Sequence, residues 1–452
     1  MEKSEKMKDS EVYYEKMTKT PVSKLIVSLG IPTTISMLIT NVYNMVDTYF
    51  VGTLGESQQA ATGILFTLQC IIQAMAFMLG QGSGTMVSKA LADKNQKEAS
   101  EYVSTAFYVG GIGGILLMVL GLIFLNPFMQ LLGSTDTILP YARQYGFWVL
   151  VSCPFMVGSF ILNNNLRYEG KAFYAMIGLT IGGVLNIFGD YLLIFVWPLG
   201  VFGAGLATAA SQIVSFGILY YFYCKMAQGK ISMKMISRRR HVYFSIITVG
   251  FPALIRQGLT SISNGMLNNY TKVYGDAAIA AMSVVNRFSA FVMCVGLGIG
   301  QGFQPVAAFN YQAKEYKRVK KGLLFTSGLG FVLVGALALV GFCFAEEIVY
   351  LFQKSPEVNE IGAYALRLAT LGTLFLPLSV PVNMLYQSIR KAGICSFLSM
   401  LRSGLAFIPV LIIASQYFGL KGIQASQPIA DMLTGLISIP FIVWYLKKTP
   451  NE

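Results

Sequence analysis

Residues 30–97 of this 452-residue chain recur at a constant offset of 220. Gly30 and Pro32 return as Gly250 and Pro252, Thr40 as Thr260, Gly55 as Gly275, and Ala60-Ala61 as Ala280-Ala281. The triplet Gly80-Gln81-Gly82 returns as Gly300-Gln301-Gly302, and Lys94 and Lys97 return as Lys314 and Lys317. Farther on, matching Arg167 and Gly170 to Arg390 and Gly393 implies a drift of three residues. Such a chain is expected to fold as two similar halves. In an apolar protein, two halves can rock about a shared site and open it first to one side of a membrane and then to the other.

With 54% hydrophobic and only 12% charged residues, the chain is too apolar for a soluble protein, whose charged fraction is nearer a quarter. Stretches of about 20 apolar residues, enough to cross about 30 Å of hydrocarbon, can be placed twelve times. The first half gives 24–50, 61–86, 103–125, 140–166, 172–196 and 203–226, and the second gives 243–270, 277–304, 322–346, 362–388, 395–417 and 422–446. The expected fold is an all-α polytopic membrane protein of two parallel six-helix repeats.

Lysine and arginine set the expected orientation. Of the 34 basic residues, 26 lie at or beside the N-terminal tail, the connections from even to odd spans, or the C-terminal tail. Both termini are therefore expected in the cytoplasm, by the positive-inside rule. The expected domains are a tail over 1–23, a first lobe over 24–226, a basic linker over 227–242, a second lobe over 243–446 and a tail over 447–452. The N-terminal tail, of mixed charge, reads as mobile and carries no secretory signal.

A net charge of +13 raises the question of nucleic acid, but the densest cluster, Arg238-Arg239-Arg240-His241, joins the two halves. Basic residues there hold topology and meet anionic lipid, so membrane lipid is the expected partner and nucleic acid is not. The six cysteines stand singly in apolar surroundings, without C-x-x-C spacing, and read as buried packing residues. The single histidine lies in the linker, which removes histidine-based metal or acid–base chemistry from the membrane and argues against an enzyme. No cofactor is implied, and the chain is expected to work as a monomer.

A carboxylate within a span costs about 2.5–3.5 kcal/mol even on insertion scales, so each needs a reason. Only Asp47, Asp190 and Asp431 of the 21 acidic residues lie well inside apolar segments. Asn41, Asn44 and Asp47, spaced by three, fall close along one face of span 1, and Asn186 stacks beneath Asp190 on span 5. Both acids precede the outer ends of rising spans by a similar distance, and Thr208 and Tyr145 reach the same depth from descending spans. Two carboxylates, an amide, a hydroxyl and a phenol at one level suit a proton or a hard cation such as sodium. The alternative is that Asp47 and Asp190 only bond neighbouring helices.

The second half lacks these acids, since Leu267 stands opposite Asp47 and Ile413 opposite Asp190 at the drifted offset. It carries Arg256, Arg287, Arg402 and Asp431 at membrane depth instead. Arg287 and Asp431 each lie about ten residues into a descending span and are expected to pair, either as a structural clamp or as part of a gate.

At these residues the chain resembles the multidrug and toxic compound extrusion (MATE) family, in its MepA-like or DinF-like bacterial branch. The likeness rests on the Gly-x-Pro opening of spans 1 and 7, Leu166-Arg167-x-x-Gly170, Leu185-Asn186-x-x-x-Asp190, and Gly203-Ala-Gly-Leu-Ala-Thr208. It implies two six-helix lobes in a V and export of amphipathic organic cations in exchange for sodium or protons. It also implies a first-lobe cation site of Asp47, Asn186, Asp190 and Thr208, with Tyr145 and Asn163 accessory. The NorM-like branch carries an acid in span 7, where this chain has Arg256-Gln257-Gly-Leu-Thr260, so a second-lobe sodium site of that kind is not expected.

A major-facilitator carrier would show its basic G-x-x-x-D-x-x-G-R loop after span 2, where Lys89-Ala-Leu-Ala-Asp-Lys-Asn stands instead. A flippase for lipid-linked precursors, which would have a cationic cavity, and a membrane enzyme are the other readings. Transport of organic cations is the expectation carried forward.

Overall fold

Hydrocarbon offers the backbone no hydrogen-bond partners, so apolar runs of this length fold as helices that satisfy their own amides. The computed structural model describes residues 2–352 and 354–450, with side chains from residue 11 onward, and no strand occurs among them. The elements are α1 (Glu2–Lys19), α2 (Val22–Gly52), α3 (Glu56–Ala92), α4 (Gln96–Ile123), α5 (Leu125–Leu131), α6 (Leu139–Tyr168), α7 (Ala172–Tyr191) and α8 (Gly200–Met226). After a linker come α9 (Arg240–Lys272), α10 (Asp276–Gln312), α11 (Tyr316–Cys343), α12 (Ala345–Phe352), α13 (Pro356–Thr373), α14 (Leu376–Ser388), α15 (Ala392–Met400) and α16 (Phe407–Lys448). Single π-helical turns, Leu192–Val196 and Leu401–Leu405, follow α7 and α15.

Among the described residues, ten helical runs are long and apolar enough to cross a membrane. Two details bring these to twelve spans. Helices α13 and α14 form one span bent by 48°, and α16 breaks at Gly419, whose φ of 59° and ψ of −132° no helix contains. Residues 392–418 and 420–448 are thus separate spans. Large apolar side chains such as Ile112, Leu116, Val332 and Leu339 remain exposed on α4 and α11, which is the outward face a lipid-embedded helix requires.

The duplication is visible in the backbone. Left-handed φ occurs at Gly55 and Gly275, at Lys94 and Lys314, and at Gly170 and Arg390. The last pair holds the offset of 220 beyond residue 97, as do the matching starts of α7 at Ala172 and α15 at Ala392. The drift of three implied by matching Arg167 and Gly170 to Arg390 and Gly393 is therefore corrected. Arg390 takes the place of Gly170 in the turn, and identical letters three residues later had no structural meaning.

The chain forms two compact units. The first comprises Met1–Tyr14 and Ile35–Leu254, and the second comprises Glu15–Thr34 and Ile255–Glu452. Each unit thus gathers the opening turns of the other half's first span, and the repeated glycines explain how. In the first unit a Cβ on Gly82 or on Gly250 would fall well inside 3.0 Å of the backbone of the crossing helix, at Ile246 and Met78 respectively. In the second, a Cβ on Gly302 would run into the backbone of Gly30. Gly30 and Gly250 from the Gly-x-Pro motif, and Gly82 and Gly302 from the Gly-Gln-Gly motif, are therefore the two sides of one backbone-to-backbone crossing, used once in each unit.

Two expectations are corrected. The N-terminal segment read as a mobile tail contains helix α1. In the first unit the Tyr13 hydroxyl donates to the Tyr168 carbonyl at 3.3 Å. In the second, Asn310 and Arg318 donate to the Met17 carbonyl and Arg318 to that of Thr20. Of the cysteines read as buried, Cys224 and Cys343 are exposed; both sit on the outward faces of their helices, where an apolar side chain meets lipid as readily as core.

Candidate functional site

In the first unit, α2, α6, α7 and α8 converge on one buried polar cluster. The Tyr145 hydroxyl donates to Asp47 Oδ2 at 2.6 Å and lies 3.2 Å from Thr208 Oγ1. The Asn186 amide also donates to Thr208 Oγ1, at 3.2 Å. Asp190, one turn beyond Asn186, is fully buried, and its carboxyl group lies close enough to that of Asp47 for the two to interact. Small residues make the cluster possible: Gly189 faces Ala207, and Gly205 packs on Tyr145 and Trp148, so α8 can approach both α7 and α6.

The hydrogen bonds do not use up this cluster. Asp47 Oδ1, Asn186 Oδ1 and both carboxylate oxygens of Asp190 are buried with no hydrogen-bond partner. An unpartnered buried oxygen costs about 1–3 kcal/mol and asks for an explanation. Four of them, carried by the facing helices α2 and α7, present the donor set that a proton or a hard monovalent cation takes.

Asn163 and Asn44 stand apart. The Asn163 amide donates to the Ala175 carbonyl at 3.0 Å, pinning the start of α7 to α6. Its counterpart Asn383 makes the same bond to Cys395, at 3.1 Å, so this asparagine is a structural peg that both repeats share. Asn44 is half-buried one turn before Asp47, and its carbonyl accepts from Thr48 along its own helix. Sequence reasoning passed over Tyr43, which pairs with Gln212 and lies near Asp47; tyrosine and glutamine are too common in spans to single out.

In the second unit the expected pairing of Arg287 with Asp431 is corrected. Asp431 Oδ1 accepts from Arg402 Nε at 2.8 Å, with Arg402 Nη2 3.5 Å from Oδ2, and Gln427 Nε2 donates to the same Oδ1 at 2.8 Å. Arg287 is exposed. Counting residues from a span's end gives depth but not the direction in which the side chain leaves the helix, and Arg402 reaches Asp431 from the π-helical turn after α15. The same turn positions Ser403, whose hydroxyl lies 3.2 Å from that of Thr260 and whose carbonyl accepts from Ser263. Arg256 Nη1 donates to Asn383 Oδ1 at 3.4 Å.

Glu169, in the turn after α6, was not singled out, because a charged residue at a span's end is ordinary. It is fully buried. Tyr223 donates to its Oε1 at 2.8 Å, and the Gln228 and Gly229 amides donate to Oε2 at 2.5 and 3.4 Å. Burial raises its pKa to about 7, against the opposing pull of these donors and of Lys171. The linker beyond is held by hydroxyls of α4: Ser100 and Ser104 bind the backbone of Lys230 and Ser232, and Thr105 accepts from the Ser237 amide.

Duplicated units of apolar helices, one with a buried carboxyl cluster, define a polytopic membrane protein in which the two halves have diverged in charge. Residues 32–192 and 252–413 match the MatE family. The chain belongs to that family. It is 26% identical over 445 residues to the multidrug export protein MepA of Staphylococcus saprophyticus, covering 98% of this chain and 97% of that protein. It is 28% identical over 447 residues, with the same coverage, to the protein of that name in Staphylococcus aureus strain NCTC 8325. A crystal structure of MATE in complex with MaL6 aligns with a TM-score of 0.90 at 23% identity, covering 96% of this chain and 99% of that one. An outward-facing multidrug resistance MATE transporter aligns equally well, also at 23% identity, over 96% and 98%; these two likenesses bear on the fold.

Proposed function

We propose that this protein is a cation-coupled antiporter that exports amphipathic, mainly cationic compounds across the cytoplasmic membrane of a bacterium by alternating access, with sodium or a proton as the coupling ion. The observation that carries the coupling is the set of four unpartnered oxygens of Asp47, Asn186 and Asp190 beside the Tyr145–Asp47 bond. Two carboxyl groups sharing one buried pocket favour uptake of a single positive charge. The first unit can then change shape when that charge arrives from outside and again when it leaves. An ion drives such a change only through contacts that differ between the two states, and an oxygen set divided between α2 and α7 supplies them. The export direction is supported by the multidrug export relatives, and the orientation, with both termini and the linker cytoplasmic, by the placing of basic residues. The protein is expected to act as a monomer, without a resident cofactor.

Everted vesicles containing the protein should accumulate a fluorescent organic cation when a sodium or proton gradient is imposed. They should lose that accumulation when the gradient is collapsed. Accumulation indifferent to both gradients would end the coupled-antiport reading.

A further inference from the structure

We propose that the second unit contains a binding pocket for a carboxylate or other small monovalent anion, built on Arg256 and Arg402. This goes beyond the export reading in assigning a second site of opposite charge preference, and it rests on that reading only for the idea that ligands reach the site. Arg256 on α9 and Arg402 on the turn after α15 line one cavity of about 30 Å³, together with Ser379, Asn383, Ser399 and Ser403. That space holds one or two water-sized groups, which admits a carboxylate or a halide but no aromatic ring. Met293, Leu297 and Met384 form its apolar wall.

Three features make this a built site. First, the lining carries two guanidinium groups and, among the described residues, no acidic one. Asp431 lies outside the lining and is engaged by Nε and Nη2 of Arg402 and by Gln427. Second, Asn383 orients Arg256. Its amide nitrogen is committed to the Cys395 carbonyl and to Ser399 Oγ, at 3.1 and 2.8 Å, which turns its oxygen toward Arg256 Nη1. Third, the pocket is not inherited from the repeat. At the offset of 220, Arg256 corresponds to Ser36 and Arg402 to Gly182, and a Cβ on Gly182 would already crowd Ser215. The halves thus differ in both directions: the first carries Asp47 and Asp190 where the second has Leu267 and Val410, and the second carries arginines where the first is small and packed. Guanidinium groups with neighbouring hydroxyls recognise planar carboxylates by charge-assisted hydrogen bonds.

The test is direct binding to the purified full chain of a rhodamine free acid and its methyl ester, which differ only in the carboxylate. The wild-type protein should bind the acid; Arg256→Gln should weaken the acid about tenfold or more and the ester less than about twofold. Ser379→Asp keeps both arginines and supplies an internal carboxylate, so it should abolish the preference for the acid even if Arg256→Gln fails to fold. Chloride in place of gluconate separates the sources. Competition with the acid identifies a site open to free inorganic anions, and indifference identifies one selective for the carboxylate of a larger ligand; either supports the pocket. A wild-type protein that does not bind the acid, or variants that weaken acid and ester by the same factor, would overturn it. Failure of the vesicle experiment with the acid preference intact would count against export and leave this pocket standing.

Discussion

The Tyr145 hydroxyl reaches Asp47 across 2.6 Å and stands 3.2 Å from Thr208, linking three helices of the first unit through one oxygen. Through Thr208 the link extends to Asn186, and through the approach of the two carboxyl groups it extends to Asp190. A change in the charge of Asp47 is thereby felt by every helix of the cluster.

Asp47→Asn and Asp190→Asn should each lower gradient-driven export by at least about tenfold while leaving folding intact. Each removes one charge from the set that discriminates between the ion-bound and ion-free states. Tyr145→Phe removes a charge-assisted hydrogen bond, with a net value of about 1.5–3 kcal/mol. It should shift the ion concentration needed for half-maximal transport by roughly tenfold or more without abolishing transport. Transport assays in vesicles at varied sodium and pH separate the two outcomes, and wild-type activity in either aspartate variant would remove the cluster from the mechanism.

The pairing of Arg402 with Asp431 predicts a coupled thermodynamic cycle. Asp431 is buried and Arg402 partly so. Neutralising one alone leaves a charge in poorly solvating surroundings, at a cost of about 3–5 kcal/mol. Arg402→Gln with Asp431→Asn together should cost less than either single change. The same cycle with Arg287→Gln should be additive, because Arg287 does not meet Asp431. Thermal unfolding of the solubilised protein measures both cycles.

What could be read from the sequence followed the kind of information each residue carries. The shared depth of Asp47, Asp190, Thr208 and Tyr145 follows from counting residues along spans, since a helix rises by a fixed amount per residue. The partner of Asp431 does not follow from counting. Arg287 and Arg402 both lie within apolar spans, and the π-helical turn after α15 aims Arg402 inward. The repeated glycines were plain as a pattern, yet their reason lies in crossings that each join the first half of the sequence to the second, Gly82 with Gly250 and Gly30 with Gly302, which no local spacing encodes. Glu169 was hidden for a different reason: its burial depends on the linker folding back over the turn after α6. The helical N-terminal segment escaped notice because its charged composition resembles that of a solvated tail, while its buried contacts involve only Tyr13 and Met17 among the described side chains.

The glycine crossings predict position-specific sensitivity to a single methyl group. Gly82→Ala and Gly250→Ala force atoms into the backbone of a packed helix, which is hard to relieve, and each should destabilise by about 1–3 kcal/mol or more. Gly63→Ala, on the same helix as Gly82 with open space around it, should be neutral or slightly stabilising, since alanine is the better helix former. Unfolding midpoints of the three variants in one detergent decide the matter. Equal tolerance at Gly82 and Gly63 would mean the helices do not cross there.

Glu169 gives a prediction with a sign. Its pKa is raised to about 7 from an ordinary value of 4.5, so between those limits the folded protein holds a proton that the unfolded chain has released. Stability contributed by this group is therefore present in full below pH 4.5, falls as pH rises, and is lost by about pH 7. Glu169→Gln removes the titration while leaving every other group in place. The difference in unfolding midpoint, wild type minus variant, should accordingly shrink as pH rises across that window and stay level above it. Exchange of the Gln228 and Gly229 amides, which the carboxyl group holds, should quicken in the variant at all pH values. A difference that grows with pH would show that the tyrosine hydroxyl, the linker amides and Lys171 outweigh burial, and that the linker is held by a carboxylate rather than by a protonated acid.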